Sequence, residues 1–241
     1  MDSLAQGTKI RDLLGSTSAA VAVTFAPEAP HGVPHVSQTA AAGCAYWKAA
    51  ADGATFYTTA SDHYNCAIGA MTHGIPLPPE REDELTSVVG TLLDLDYLRK
   101  EELPDIPHLE QQFGVAVYAP LAATPCEPDV VIIRGNAKQI MLAWEAALAA
   151  GLPPGGATMG RPACSMIPAT IQNGSVWTSL GCIGNRVYTG LQDDELYLTI
   201  PGNRVDAFVA KLEVVANANQ VLTGYHRDHA QTVHAGATTA S

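Results

Sequence analysis

"DVVIIRGNAKQIMLAWEAALAAG", residues 129–151, holds the clearest structural signal in the chain. Its first half is a β-branched apolar run, which reads as a buried strand. Asn136 then stands where a side-chain oxygen can cap a helix. Helix formers with apolar positions at helical spacing follow to about Ala150, and Gly151 closes the helix. A strand feeding directly into a helix predicts an α/β chain, with a mixed α+β arrangement as the variant.

Working outward, "AAVAVTFAP" (19–27), "ATFYTTA" (54–60), "FGVAVYAP" (113–120), "SVWTSLG" (175–181) and "ELYLTIP" (195–201) read as further strands. Helices are expected at the N-terminus, with Leu4, Ile10, Leu13 and Leu14 on one side, at about 44–51, after the prolines near 79, and from Asn203 to about Leu222. Residues 28–42 read as a loop, "LPPGGATMGRP" (152–162) as a flexible connection, and "ACSMIPATIQNG" as a weak helix interrupted by Pro168. The run Glu80–Glu84 reads as a solvated first turn, and the chain beyond Tyr225 as a loose tail without an apolar face.

Two stretches share an order of elements. "VAVTFAP … GCAYWKAAADGATFYTTASDHYNCAIGA" and "VAVYAP … ACSMIPATIQNGSVWTSLGCIGNR" each place a cysteine at a helical segment, an Asp-Gly or Asn-Gly turn, an aromatic strand, and a second cysteine before Ile-Gly. The cysteines lie 22 positions apart in the first and 18 in the second. Shared order without a fixed period points to an internal duplication rather than a solenoid. The expected organisation is two related halves, 1–110 and 111–222, each a small sheet with flanking helices, followed by a tail at 223–241.

A two-fold arrangement of that kind would bring Cys44, Cys66, Cys164 and Cys182 to one site. Cys66 and Cys182 follow strands and precede a turn, and all four begin helical segments, where nearby N–H groups favour a thiolate. Converging thiolates select soft metals, so the leading expectation is an iron–sulfur cluster held by these four residues. With all four bound it would pass electrons, and with three an open iron could act as a Lewis acid. Haem, or no cofactor, is the alternative.

Two other readings stay open. One is a non-catalytic small-molecule or metal-binding module with mainly structural cysteines. The other is a cofactor-free thiol enzyme pairing Cys66 with His63 or His73. Arg186 is placed to clamp an anionic substrate. On these grounds the chain leans towards an enzyme, an oxidoreductase or lyase acting on a small molecule.

Composition limits the partners. Net charge is −11 with no basic run, which argues against nucleic acid and anionic membrane. No apolar run reaches the ~20 residues of a membrane span, and the N-terminus lacks the features of a signal peptide. A cytoplasmic location is expected, and five cysteines, an odd number, suit thiols better than a disulfide framework. An electron-transfer protein as partner and a homo-oligomer are both compatible with this picture. Fingerprints for dinucleotide, P-loop, zincin and serine-hydrolase sites are absent.

The chain resembles a bacterial and archaeal family, catalogued as domain of unknown function one-six-nine, over nearly all of residues 5–222. The likeness is carried by Cys66-x-x-Gly69, by Pro128-Asp129-Val130-Val131 leading to Gln139, and by Gly181-Cys182-x-Gly184-x-Arg186. The resemblance implies a soluble prokaryotic protein whose cysteine-glycine corners are the working part.

Overall fold

A computed structural model describes residues 2–158 and 162–238. Seven strands form one sheet: β1 (Val21–Ala26), β2 (Phe56–Thr58), β3 (Val115–Pro120), β4 (Val130–Asn136), β5 (Pro154–Thr158), β6 (Val176–Ser179) and β7 (Glu195–Pro201). Their order across the sheet is β2-β3-β1-β4-β7-β6-β5. All neighbours run antiparallel except β5 and β6. The architecture is mixed α/β. The two small sheets expected from the sequence are instead one sheet, because β1 pairs with β3 along its whole length and with β4 on its other side. A duplication of the two halves is not shown.

Helices cover both faces, and strand periodicity decides which residue meets which helix. Val131 and Ile133 pack with Ile140, Phe208 and Leu212 of α5 (Ala137–Ala149) and α8 (Val205–Thr238), joined by Ile10 and Leu14 of α1 (Ser3–Leu14). Their alternates, Val130 and Ile132, pack with Tyr46 and Trp47 of α2 (Cys44–Ala51) and with Met166 and Ile167 of α6 (Met166–Asn173). Burial on both faces explains why the central strands read as unbroken apolar runs.

The strand-to-helix unit that opens at Asp129 forms as its residues dictate. Asn136 Oδ1 accepts from the Gln139 amide at 3.0 Å, and Gln139 Oε1 accepts from the Asn136 amide at 2.8 Å. Gln139 Nε2 also donates to the carbonyls of Leu14 and Gly15, locking the end of α1 to the start of α5.

Three local expectations are corrected. The stretch read as a flexible connection contains β5, an edge strand whose Pro-Gly-Gly composition carries none of the usual strand signal. Pro168 does not interrupt α6: it is the helix's third residue, where the amide has no intrahelical partner to lose. Residues 223–238, read as a tail, continue α8. Two short helices, α3 (Ala67–Thr72) and α7 (Ile183–Thr189), follow β2 and β6, and α4 (Pro79–Asp94) stands outside them.

Candidate functional site

Each of the four paired cysteines sits where a helix begins on the α2/α6 face. Cys44 is the first residue of α2, and Cys164 lies in the 3-10 turn Ala163–Ser165 that leads into α6. Cys66 caps α3 and Cys182 caps α7, where its sulfur accepts from the Asn185 amide at 3.4 Å. All four line one cavity of about 710 Å³. Cys126 is not part of the lining: its thiol donates to Thr24 Oγ1 of β1 at 3.4 Å.

Burial keeps two of these thiols, Cys44 and Cys164, protonated. Burial pushes the Cys44 thiol up to about 12, opposed by the neighbouring Asn185 amide and reinforced by Cys66 and Cys182. Burial likewise raises Cys164, Cys66 raises it further, and the Thr72 hydroxyl, 3.1 Å from its sulfur, opposes the rise. Cys164 is half-buried and lines the cavity. Helix starts were expected to make thiolates, but removal from water outweighs the short helices' contribution.

The iron–sulfur reading is corrected on the same geometry. Among the described residues, no group of three or more His, Cys, Asp or Glu side chains is arranged to hold a metal ion. The sulfurs share a cavity without sharing a bonding point, so the thiolate-ligated cofactor and the electron transfer or Lewis-acid chemistry expected of it lose their support.

The two histidines lie behind the thiols. His63 is buried, with Nε2 2.9 Å from Thr58 Oγ1 and Nδ1 unpaired. His73 caps the end of α3, lines the cavity, and has no hydrogen bond at either nitrogen. Their rings meet edge-on at 5.9 Å. Burial lowers His63 to about 4 and His73 to about 3, so both are neutral imidazoles near neutral pH. No hydrogen bond joins either ring to Cys66.

Arg186 is outside the cavity lining. Its guanidinium donates to the carbonyls of Gln192 and Leu180 at 2.9 and 2.7 Å, stapling the loops on either side of α7. Nη1 also lies 3.8 Å from the Asp193 carboxylate, so this guanidinium serves the fold around α7.

The outer wall of the cavity was not legible as such. It is α4, whose Leu85, Val89 and Leu92 face the space. None of the residues of α4 is buried, so its apolar side is laid over the cavity rather than packed in the core. The segment carrying it leaves and returns at one point. Leu109 donates its amide to Thr72 O at 2.9 Å, and a Cβ on Gly74 (φ +65°) would lie 2.2 Å from Leu109 O, so only glycine fits there. Gln172 Nε2 pins the adjoining His108 carbonyl at 2.6 Å. Residues 75–108 thus form a flap with a narrow base.

Asn185 was also missed. The side chain is 1% exposed, lines the cavity, and sets its amide against the Cys44 thiol and the Tyr197 hydroxyl. Among the described residues of the lining, none is Asp, Glu, Lys or Arg.

Among the described residues, no helix is long and apolar enough to cross a membrane. The chain is similar to the uncharacterized protein MJ0308 of Methanocaldococcus jannaschii, 26% identical over 179 residues that cover 70% of this chain and 73% of that protein. No solved structure matches it. The cysteine corners, the cavity they line and the capped helix α5 all fall within residues 9–211, which match the model of the family described as uncharacterised ArCR. The chain belongs to that family, the domain of unknown function one-six-nine.

Proposed function

We propose that the protein binds a small, largely apolar molecule between the cysteine corners and α4. The observation that carries this reading is the uncovered apolar side of α4 over a cavity of about 710 Å³. Ligand sites commonly enclose roughly 300–1,000 Å³ and are lined mainly by apolar side chains with a few polar groups. A helix whose leucines and valines face an open space gains its apolar contact when something fills that space. The flap base at Gly74 and Leu109 supports a lid that admits the ligand and then rests on it.

The acidic balance of −11 supports a partner that is neither nucleic acid nor anionic membrane. Five free cysteines support a reducing compartment, so a cytoplasmic setting belongs to the proposal.

The test is thermal unfolding with and without hexylbenzene. Ligand at one hundred times its dissociation constant stabilises by about 2.7 kcal/mol, which for a chain of this length raises the melting temperature by roughly 5–11 °C. Val89→Trp, which places an indole in the cavity, removes that rise while leaving the fold intact. A melting temperature unmoved by hexylbenzene at its solubility limit overturns the reading.

A further inference from the structure

We infer that the chain self-associates through the outer face of α8, two copies lying antiparallel along it.

α8 has two apolar faces. Phe208, Leu212 and Ala216 follow at steps of four and are buried. Val214, Ala218, Val221 and Tyr225, at steps of four, three and four, form the second. Val214 stands two residues from both Leu212 and Ala216, roughly 200° around the axis, so this stripe points away from the core. It lies in solvent: Val214 is 59% exposed, Val221 73% and Tyr225 62%, with Leu222 beside them at 55%.

The second observation is the length of helix that the protein's own core does not hold. From Asn217 to Val233 no residue is buried, and only Asn219 and Thr223 are half-buried. The helix nevertheless runs on to Thr238. Val221, Thr223, Gly224, Thr232 and Val233 are weak helix formers. Most helical stability in proteins comes from packing an apolar face, so these turns are held best when the outer stripe is covered.

Charge and size select a second copy as the cover. The chain carries −11, yet residues 210–229 hold Lys211, Glu213, Arg227 and Asp228, two of each sign. Two copies meet there without repulsion, and a strongly charged partner finds no counter-charge. Antiparallel pairing also sets the acidic bodies further apart than parallel pairing does. With the two-fold axis between Asn219 and Gln220, Tyr225 of each copy meets Val214 of the other, and Val221 meets Ala218. Large side chains oppose small ones, and every contact is made twice. An overlap of residues 210–229 is about 30 Å long. Such a seam sits at the low end of specific interfaces, about 1,000 Å² in total, which fits a weak, reversible dimer.

Sedimentation velocity of the full chain, from micromolar to millimolar concentration, tests this. A reversible monomer–dimer equilibrium with a micromolar dissociation constant is expected. Helix content read by circular dichroism should rise over the same range, as the last turns of α8 gain cover. Val214→Lys and Tyr225→Glu, both at exposed positions, should each weaken the dimer roughly tenfold. An equimolar mixture of the two variants should recover it, because lysine on one copy faces glutamate on the other in the antiparallel register. A chain that stays monomeric at millimolar concentration overturns the inference and leaves a different protein as the cover. A dimer untouched by either substitution overturns it too, since the copies then meet elsewhere. Weakening by each variant without recovery in the mixture rejects the antiparallel register.

Discussion

The sulfur of Cys66 occupies the space that a side chain on Gly69 would need: a Cβ there would lie 2.9 Å from Sγ. In an exposed helix interior, Gly→Ala stabilises by roughly 0.5–1 kcal/mol because alanine loses less backbone entropy on folding. At this position the sign should reverse. Gly69→Ala forces the thiol off its rotamer and should destabilise by about 1 kcal/mol. In a Cys66→Ala background the obstacle is gone, and Gly69→Ala should then be neutral or stabilising. Urea unfolding of the four proteins in this cycle measures the coupling, and equal effects of Gly69→Ala in both backgrounds would show that the contact does not constrain the corner.

Acid should weaken the fold through the two buried histidines. Burial sets His63 at about 4 and His73 at about 3, against about 6.5 for an unfolded histidine. The unfolded chain therefore binds protons that the folded chain refuses. Stability is fully present above pH ~6.5 and is lost as pH falls through the folded values, by up to about 1.4 kcal/mol per pH unit for each histidine. Asp62, held below the usual carboxylate range by the Thr59 amide and His35 against the effect of burial, adds its own loss only at lower pH. His73→Phe, set beside Phe25 at 5.6 Å, should flatten the slope between pH 6 and 4.5 by about one proton's worth. Urea midpoints across that range provide the measurement, and parallel slopes for the two proteins would exclude His73 as a source of acid lability.

Much of the scaffold is legible in the residues. β4 and α5 follow from "VVIIRGN" and the Asn136/Gln139 capping box, and the cysteines do stand at helix starts, as their turn contexts suggest. What the sequence hides is set by distant partners. β1 and β3 were read as equivalent strands of separate halves, but their register, Val21 with Pro120 to Ala26 with Val115, makes them neighbours in one sheet. Such pairing across about ninety residues leaves no local signal. The protonation of Cys44 is equally non-local, since it comes from burial in the core cluster that also holds Tyr46, Met166 and Leu191 rather than from its place on the helix. The apolar positions of α4 are visible by spacing, yet spacing alone cannot distinguish a side facing a core from one facing a cavity.

Thiol reactivity should divide the cysteines into groups that follow the cavity. Cys44 is buried and both it and the half-buried Cys164 are raised, so iodoacetamide at pH 7 should leave these two unmodified in the folded protein. Cys66, Cys182 and Cys126, half-buried and without that rise, should react first. Hexylbenzene should then protect Cys66 and Cys182, which line the cavity, and leave Cys126 as reactive as before. Peptide mass spectrometry reads each site separately. Early modification of Cys44 would contradict the burial on which the uncharged wall depends.

Hydrogen exchange on α4 tests the lid most directly. Local stability follows buried apolar contact, and none of the residues of α4 is buried. Its amides, like those of the flanking stretch to Glu102, should exchange far faster than those of α5, whose Ile140, Ala143 and Ala147 are buried against the sheet. Hexylbenzene in the cavity would give Leu85, Val89 and Leu92 the surface they lack, and burying three such side chains contributes about 1.5–3 kcal/mol each at full burial. Even a third of that gain slows α4 exchange by one to two orders of magnitude, while α5 and α8 change little. Uniform slowing across the whole chain would instead mean that the ligand only stabilises the fold globally, with α4 no more a lid than any other helix.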